Sequence, residues 1–285
     1  MTASQPMQGN STSTVLGRRL GGELIKLRTA AGMTQPQAAK VLSASTTKVA
    51  KMERGWVPIR DPDIRALCEL YGVRDPTAVG GLLELARIDR ERRKAKGWWN
   101  GLPVLSRVKM TEYVSLESAA ASIRYWQVSY VPGLFQTADY VRALRPDEQF
   151  VAARIERQRR LVETPPLSVW AVINESALRC QVGGPDVMRG QLDQLNRLSR
   201  EPNVTVQVRP FTAGPHPALG AAFNVLSFAE PGAMDVVYME VPLSQHWAEG
   251  GEEAAQHAAL FESAAATALN PDDSRAFINA MIKEL

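Results

Sequence analysis

TQPQAAKVLSASTTKVAKMERG, residues 34–55, reads as two short helices joined by a tight turn. Thr34 stands where a helix start needs a cap, and Gln37 three residues later completes a capping-box pattern. Pro36 falls in the first turn, where no intrahelical donor is lost. Ala38, Val41 and Leu42 give this helix one apolar face, and Ser43-Ala44 makes the turn. Ser45 caps a second helix, on which Val49 and Met52 face inward at i, i+3 spacing. That leaves Thr46, Thr47, Lys48 and Lys51 outward, and Gly55 supplies the stop. A second helix that shows short polar and basic side chains is what a major-groove reader needs.

Outward from this stretch the helices continue. Leu16, Leu20, Leu24, Leu27 and Ala31 lie at helical spacing, and Gly32 ends that helix. Asp61-Pro62 and Asp75-Pro76 each read as a capping Asp before a proline at the first helical position. The stripes that follow are Ile64, Leu67, Cys68 and Tyr71, then Val79, Leu82, Leu83 and Ala86. Five helices over residues 15–96 complete an all-α domain. The last runs into RIDRERRKAKGWW (87–99), whose charges read as a solvated helix face.

Charge separates this part from the rest. Residues 15–96 carry 17 Lys/Arg against 9 Asp/Glu, a net of +8. Residues 97–285 carry 16 against 21, a net of −5. A basic module on an acidic remainder suits an anionic partner for the first part only. Residues 1–14, MTASQPMQGNSTST, have no basic n-region and no apolar h-region, and read as a disordered polar tail. No stretch approaches the ~18 consecutive apolar residues of a membrane span. Cys68 and Cys180 offer neither a disulfide framework nor metal-ligand spacing. These features point to a soluble chain in a reducing, cytoplasmic setting, with no membrane partner.

After Gly97 the composition changes at Trp98-Trp99. Residues 111–126 read as a helix, with Tyr113, Leu116, Ala120 and Ile123 in register. Residues 127–137 read as extended and turn at Pro132-Gly133. Thr137 then caps a short helix to Leu144, and 147–163 reads as a basic amphipathic helix. LSVWAVIN (167–174), NVTVQVRP (203–210), AFNVLSFA (222–229) and DVVYMEV (235–241) read as strands. Gly183-Gly184-Pro185 precedes a helix to about Arg200, and helices at 252–269 and 271–284 close the chain. The second part, 97–285, is therefore a mixed α+β domain with four strands.

The motif resembles the helix-turn-helix of phage-repressor-like (Cro/C1, XRE) regulators through Gln35, Ala39, Val49, Met52 and Glu53-Arg54-Gly55. Ser43 departs from it, at a turn position where that family often has glycine. In a left-handed conformation serine costs about 1 kcal/mol more than glycine. The resemblance implies a lambda-repressor-like fold, with a buried ion pair between the residues matching Arg28 and Glu53. Nearly the whole chain is similar to a group of actinomycete regulators like the sporulation regulator WhiJ, often called antitoxin-like. The segments that carry this are Gly97-Trp98-Trp99, VPGLFQT (131–137), Arg157 to Arg160, GGPDVM (183–188), NVTVQVRP (203–210), AGPHPALG (213–220) and VVYME (236–240). After Val241, PLSQHWAEGG stands where that group often has a Leu-Tyr-Leu-like strand. This resemblance implies transcriptional regulation, with a small protein encoded by a neighbouring gene acting through the C-terminal domain.

Gln35 begins the first motif helix and Ser45 the second, each beside a helix N-terminus that favours phosphate. Thr46, Thr47 and Lys51 match the positions that reach base edges, and Lys48 reaches a base or a phosphate. Thr methyls suit thymine methyls and Lys suits guanine O6/N7. With no Arg, Asn or Gln on the outward face, bidentate reading is weak. A homodimer on a two-fold site in double-stranded DNA is therefore expected, with half-sites about one helical turn apart.

The C-terminal domain has two readings. As a docking surface for the small protein, its candidate contacts are Arg154, Arg157, Arg160, Phe135 and His216. As a pocket for a small-molecule effector, it is lined by residues such as Trp170, Phe223 and Tyr238. No enzyme signature competes with these. His216, His246 and His257 have no neighbour at metal spacing, and no P-loop or nucleophile elbow occurs. Gly183-Gly184 reads as a tight turn and Glu175 as a cap. No cofactor, metal or catalytic residue is implied.

Overall fold

The computed structural model describes residues 14–94, 97–108, 110–229, 234–241 and 244–285. The chain divides between Gly97 and Trp98 into two compact units. Residues 1–13 of the proposed tail, and residues 95–96 of the charged run, lie outside the described residues.

The first unit is five helices: α1 (Val15–Ala30), α2 (Gln35–Val41), α3 (Thr46–Glu53), α4 (Asp61–Leu70) and α5 (Pro76–Lys94). Thr14, read as part of the tail, is the N-cap of α1: its hydroxyl accepts from the Gly17 N–H and donates to Asp89 of α5. Ser45 caps α3 by accepting from the Lys48 N–H at 3.1 Å. At the start of α2 the Gln37 amide oxygen accepts from the Thr34 N–H at 2.8 Å. The cap of α4 is Arg60, one residue before the expected Asp61. Ser43 is left-handed at φ 48°, so the turn bears the serine cost noted above.

Leu20, Leu24, Ala38, Val49, Met52, Ile59, Ile64, Leu67 and Ala86 form one core. Arg87 of the charged run pairs with Glu84 and Glu91, Arg90 with Asp61 and Arg93 with Asp89, all within this unit.

α1 and α3 touch through their backbones. A Cβ on Gly21 would lie 2.2 Å from the Glu53 carbonyl oxygen, and that atom cannot swing aside. Gly22 has open space at the same point. Alanine in a helix interior gains up to about 1 kcal/mol over glycine. Gly22→Ala is therefore expected to stabilise the unit slightly. Gly21→Ala is expected to cost a net ~2 kcal/mol, because the two helices must part. Equal denaturation midpoints for the two variants would contradict this packing.

The second unit holds α6 (Pro103–Arg107), α7 (Thr111–Ala119), β1 (Ser122–Gln127), α8 (Ala138–Leu144), α9 (Glu148–Arg157), β2 (Ser168–Asn174), α10 (Glu175–Arg179), α11 (Pro185–Leu198), β3 (Val204–Arg209), β4 (Phe223–Ser227), β5 (Val236–Val241), β6 (Ser244–Glu249), α12 (Gly251–Ala266) and α13 (Pro271–Glu284). Its sheet runs β3-β2-β1-β4-β5-β6. β1 and β3 flank β2 in parallel, whereas β4, β5 and β6 pair antiparallel.

Six strands replace the four expected. The helix expected over 111–126 stops at Ala119, and Ser122–Gln127 becomes the strand where the parallel and antiparallel halves meet. SQHWAE forms an edge strand where a departure from the resembled group had been noted. The expected helix at 147–163 ends at Arg157, followed by a 3₁₀ turn over Gln158–Leu161.

Strand alternation assigns the two faces of the sheet. Trp126, Val172, Phe223, Val225, Val237 and Ala248 lie on one, packed with Phe261 and Ala264 of α12. Tyr125, Asn224, Tyr238 and Trp247 are cross-strand partners in a row on the other. α7 and α9 cover that row, since Glu117 accepts from Tyr125, Tyr113 accepts from Asn224, and Arg157 bonds Glu117.

Candidate nucleic-acid interface

α3 presents Ser45, Thr46, Thr47, Lys48 and Lys51 to solvent while Val49, Met52 and Glu53 are buried. Thr47, Lys51 and Arg54 follow one another at i, i+4, i+7, so a stripe of hydroxyl and cation runs along the exposed face. Arg54 was absent from the candidates because its place in Glu-Arg-Gly drew attention to the stop rather than the stripe. Trp56 follows, 45% exposed, with its N–H on the Lys51 carbonyl at 2.8 Å. Lys40 adds an exposed cation in the last turn of α2.

A two-pronged ion pair fixes this helix. Arg28 Nε and Nη2 donate to the Glu53 carboxylate at 2.6 and 3.1 Å, and Arg28 Nη1 reaches the Met33 carbonyl at 3.0 Å. Glu53 raises the Arg28 guanidinium pKa through this bond. The phenol of Tyr71 beside it is pushed up to about 12, chiefly by burial and then by the Glu53 charge. Gln35 is part of the same node. Its amide donates to Glu53 at 2.7 Å, so the side chain is turned inward rather than toward a phosphate. The Glu53 carboxylate thus ties α1, α2 and α3 together, with the half-buried Gln35 side chain committed to it.

The C-terminal candidates are placed differently from the sequence reading. Phe135 and His216 are interior. His216 Nδ1 accepts from the Ala218 N–H at 3.1 Å, which leaves Nε2 to donate to Ser263 Oγ. Burial, then the Arg209 charge, lowers its pKa. Arg157 is 3% exposed and bonds Glu117 through Nε and Nη2. Arg160 donates to the Ala120 and Pro165 carbonyls. As docking contacts, Phe135, Arg157 and His216 are ruled out by burial, because a partner cannot touch them without opening the core. Arg154 alone of the five is partly exposed with no hydrogen bond.

Nor do Trp170, Phe223 and Tyr238 line one cavity. Trp170 packs on Phe261 and Phe223 on His257, on the α12 face, while Tyr238 lies on the opposite face between Tyr113 and Trp247. Glu175 accepts from the Phe211 N–H and pairs with Arg179, while Asn174 takes the capping position. Gly183 and Gly184 make the turn before α11, both at positive φ. Among the described residues no cluster of His, Cys, Asp and Glu is arranged to hold a metal, and no helix is long and apolar enough to cross a membrane.

A five-helix unit whose third helix is clamped from behind and polar in front defines a DNA-binding helix-turn-helix protein. Residues 19–81 match a helix-turn-helix domain family, which is consistent with an XRE-type regulator. Residues 110–280, more than half the chain, match the family described as a domain of unknown function (DUF5753), and the chain belongs to that family. No curated protein and no solved structure matches it.

Proposed function

We propose that this protein is a sequence-specific transcriptional regulator. Residues 15–96 form its DNA-binding module and residues 97–285 its regulatory domain. The observation that carries the reading is the α3 face: Thr46, Thr47, Lys48 and Lys51 exposed on a helix whose opposite side is locked by Arg28–Glu53. Thr46, Thr47 and Lys51 read base edges. Ser45, Lys48 and the backbone at Gln35 anchor phosphates, joined by Arg54 and Lys40. The short side chains make each module modestly specific, so a homodimer reads two half-sites one helical turn apart.

The regulatory domain answers to a small protein encoded nearby. Ile155 on α9, Arg159 in the 3₁₀ turn after it and Val162 just beyond are all exposed, and they support a docking role in place of the interior residues. The actinomycete, antitoxin-like character of the resembled group and its cytoplasmic setting fit this reading. A small-molecule effector remains the alternative, without the three-aromatic pocket.

Lys51→Ala is expected to weaken binding to the chain's selected DNA site by roughly 1–3 kcal/mol, with a smaller loss on random DNA. Fluorescence anisotropy on both DNAs measures this. Equal losses would reduce Lys51 to a phosphate contact and remove the base-reading role.

A further inference from the structure

One large side chain in the N-terminal unit is left outside both its core and the DNA contacts assigned above. Trp56 is 45% exposed, whereas tryptophan is highly buried on average. Among the described residues its ring stacks on no other ring and its Nε1–H makes no hydrogen bond.

The turn that carries Trp56 is fixed. The Trp56 N–H donates to the Lys51 carbonyl at 2.8 Å and the Gly55 N–H to the Met52 carbonyl at 3.0 Å, the two bonds of a Schellman motif closing α3. Gly55 is left-handed at φ 69°, and a Cβ on it would lie 2.2 Å from the Arg18 backbone nitrogen, so the turn is pressed onto α1. Its carbonyl accepts from Arg93 Nη2 at 2.6 Å and from the Thr14 N–H at 3.3 Å. Beyond Trp56, Val57 packs against the core and Ile59 is buried in it. The chain is thus anchored on both sides of Trp56, and the exposed ring is presented by a rigid turn rather than by a loose loop.

The surroundings select what covers it. The bond to the Lys51 carbonyl brings Trp56 to the end of the α3 face that carries Thr47 and Lys51. From Lys40 to Arg60 the only acidic residue is Glu53, which is buried and paired with Arg28. Lys40, Lys48, Lys51 and Arg54 are exposed. A second copy of this face would set cation against cation. An apolar ring with a single donor, placed among cations, matches a chain in which apolar sugar alternates with anionic phosphate.

We propose that Trp56 lies on the sugar–phosphate backbone of bound duplex DNA, its ring against a deoxyribose and its Nε1–H on a phosphate oxygen, beside the base edge that Lys51 reads. This rests on the reading of α3 as the DNA-reading helix, and adds to it an uncharged anchor that is blind to sequence.

The test uses the full chain, wild type and Trp56→Phe, quenched with acrylamide in the absence and presence of saturating duplex. Trp56 is the only tryptophan within Met1–Gly97, so the difference between the two emission signals reports it. That difference is expected to be quenched readily in the free protein and protected by duplex. In anisotropy titrations Trp56→Phe, which keeps a ring and loses the donor, is expected to bind about threefold more weakly. Trp56→Ala is expected to lose about tenfold, by the same factor on the selected and the scrambled duplex. The slope of log affinity against log salt is expected to stay that of the wild type, because no charge is removed, whereas Lys48→Ala lowers it by about 1. The acrylamide measurement needs only the Phe variant and stands even if Trp56→Ala folds poorly. A wild type that binds neither duplex would overturn this proposal together with the reading under it. Duplex binding with Trp56 still open to acrylamide, or with the Ala variant folded and within about twofold of the wild type, would overturn this proposal alone. So would a loss confined to the selected duplex, or protection that grows with protein concentration and needs no DNA.

Discussion

Replacing Glu117 with glutamine is expected to destabilise the C-terminal unit by about 3–5 kcal/mol. The carboxylate accepts two bonds of 2.6 Å from Arg157, and neither side chain reaches solvent. Glutamine has nearly the same shape, but its amide offers one oxygen and a competing donor. Arg157 would be left a buried cation beside a second cation, Arg154. Coulomb attraction that had offset two desolvation costs would vanish, while the cost of burying Arg157 would remain. Five of the six tryptophans, Trp98, Trp99, Trp126, Trp170 and Trp247, belong to this unit, so tryptophan fluorescence in urea follows its unfolding. A change under 1 kcal/mol would show that Arg157 finds another acceptor or water.

Glu53→Gln has the second largest expected effect, about 2–3 kcal/mol in the N-terminal unit. The figure is smaller than for Glu117 because Arg28 keeps 15% of its side-chain surface in water and retains the Met33 carbonyl. Its functional consequence is the greater. Glu53 is the acceptor shared by Arg28 of α1 and Gln35 of α2 and is itself the last residue of α3. Without it the angle of α3 on α1 and α2 rests on apolar packing and the backbone contacts at Gly21 and Gly55, with no side-chain ion pair to direct it. DNA affinity is therefore expected to fall although Glu53 is buried and touches no DNA. Loss of stability with unchanged affinity for the selected site would show that packing alone orients α3.

The two units differed in how legible they were. The helix-turn-helix was readable because its determinants are local: Ser45 bonds a residue three positions on, and the Val49/Met52 stripe lies within one helix. Gln35 escaped that reading because its partner lies 18 residues away, and a helix start gives no hint of it. β1 was missed for a related reason. Tyr113, Leu116, Ala120 and Ile123 keep helical spacing across the junction, so the pattern does not mark the stop at Ala119. SIRYWQ becomes a strand because β2 and β4 pair with it on either side. β6 carries few β-formers and owes its form to pairing with β5. Arg154 and Arg157 looked like the outer face of a basic helix, where arginine usually lies. Only the fold brings Glu117 from 40 residues away to bury one of them and leave the other unpaired.

The central claim is that α3 reads DNA. It is tested most directly by selecting a preferred sequence from random duplexes with the full chain, then titrating that sequence and a scrambled one over a range of salt concentrations. The expected result is a two-fold-symmetric preferred site, bound more tightly than the scrambled duplex, with log affinity falling linearly as log salt rises. No enriched sequence together with a salt-independent affinity would contradict it.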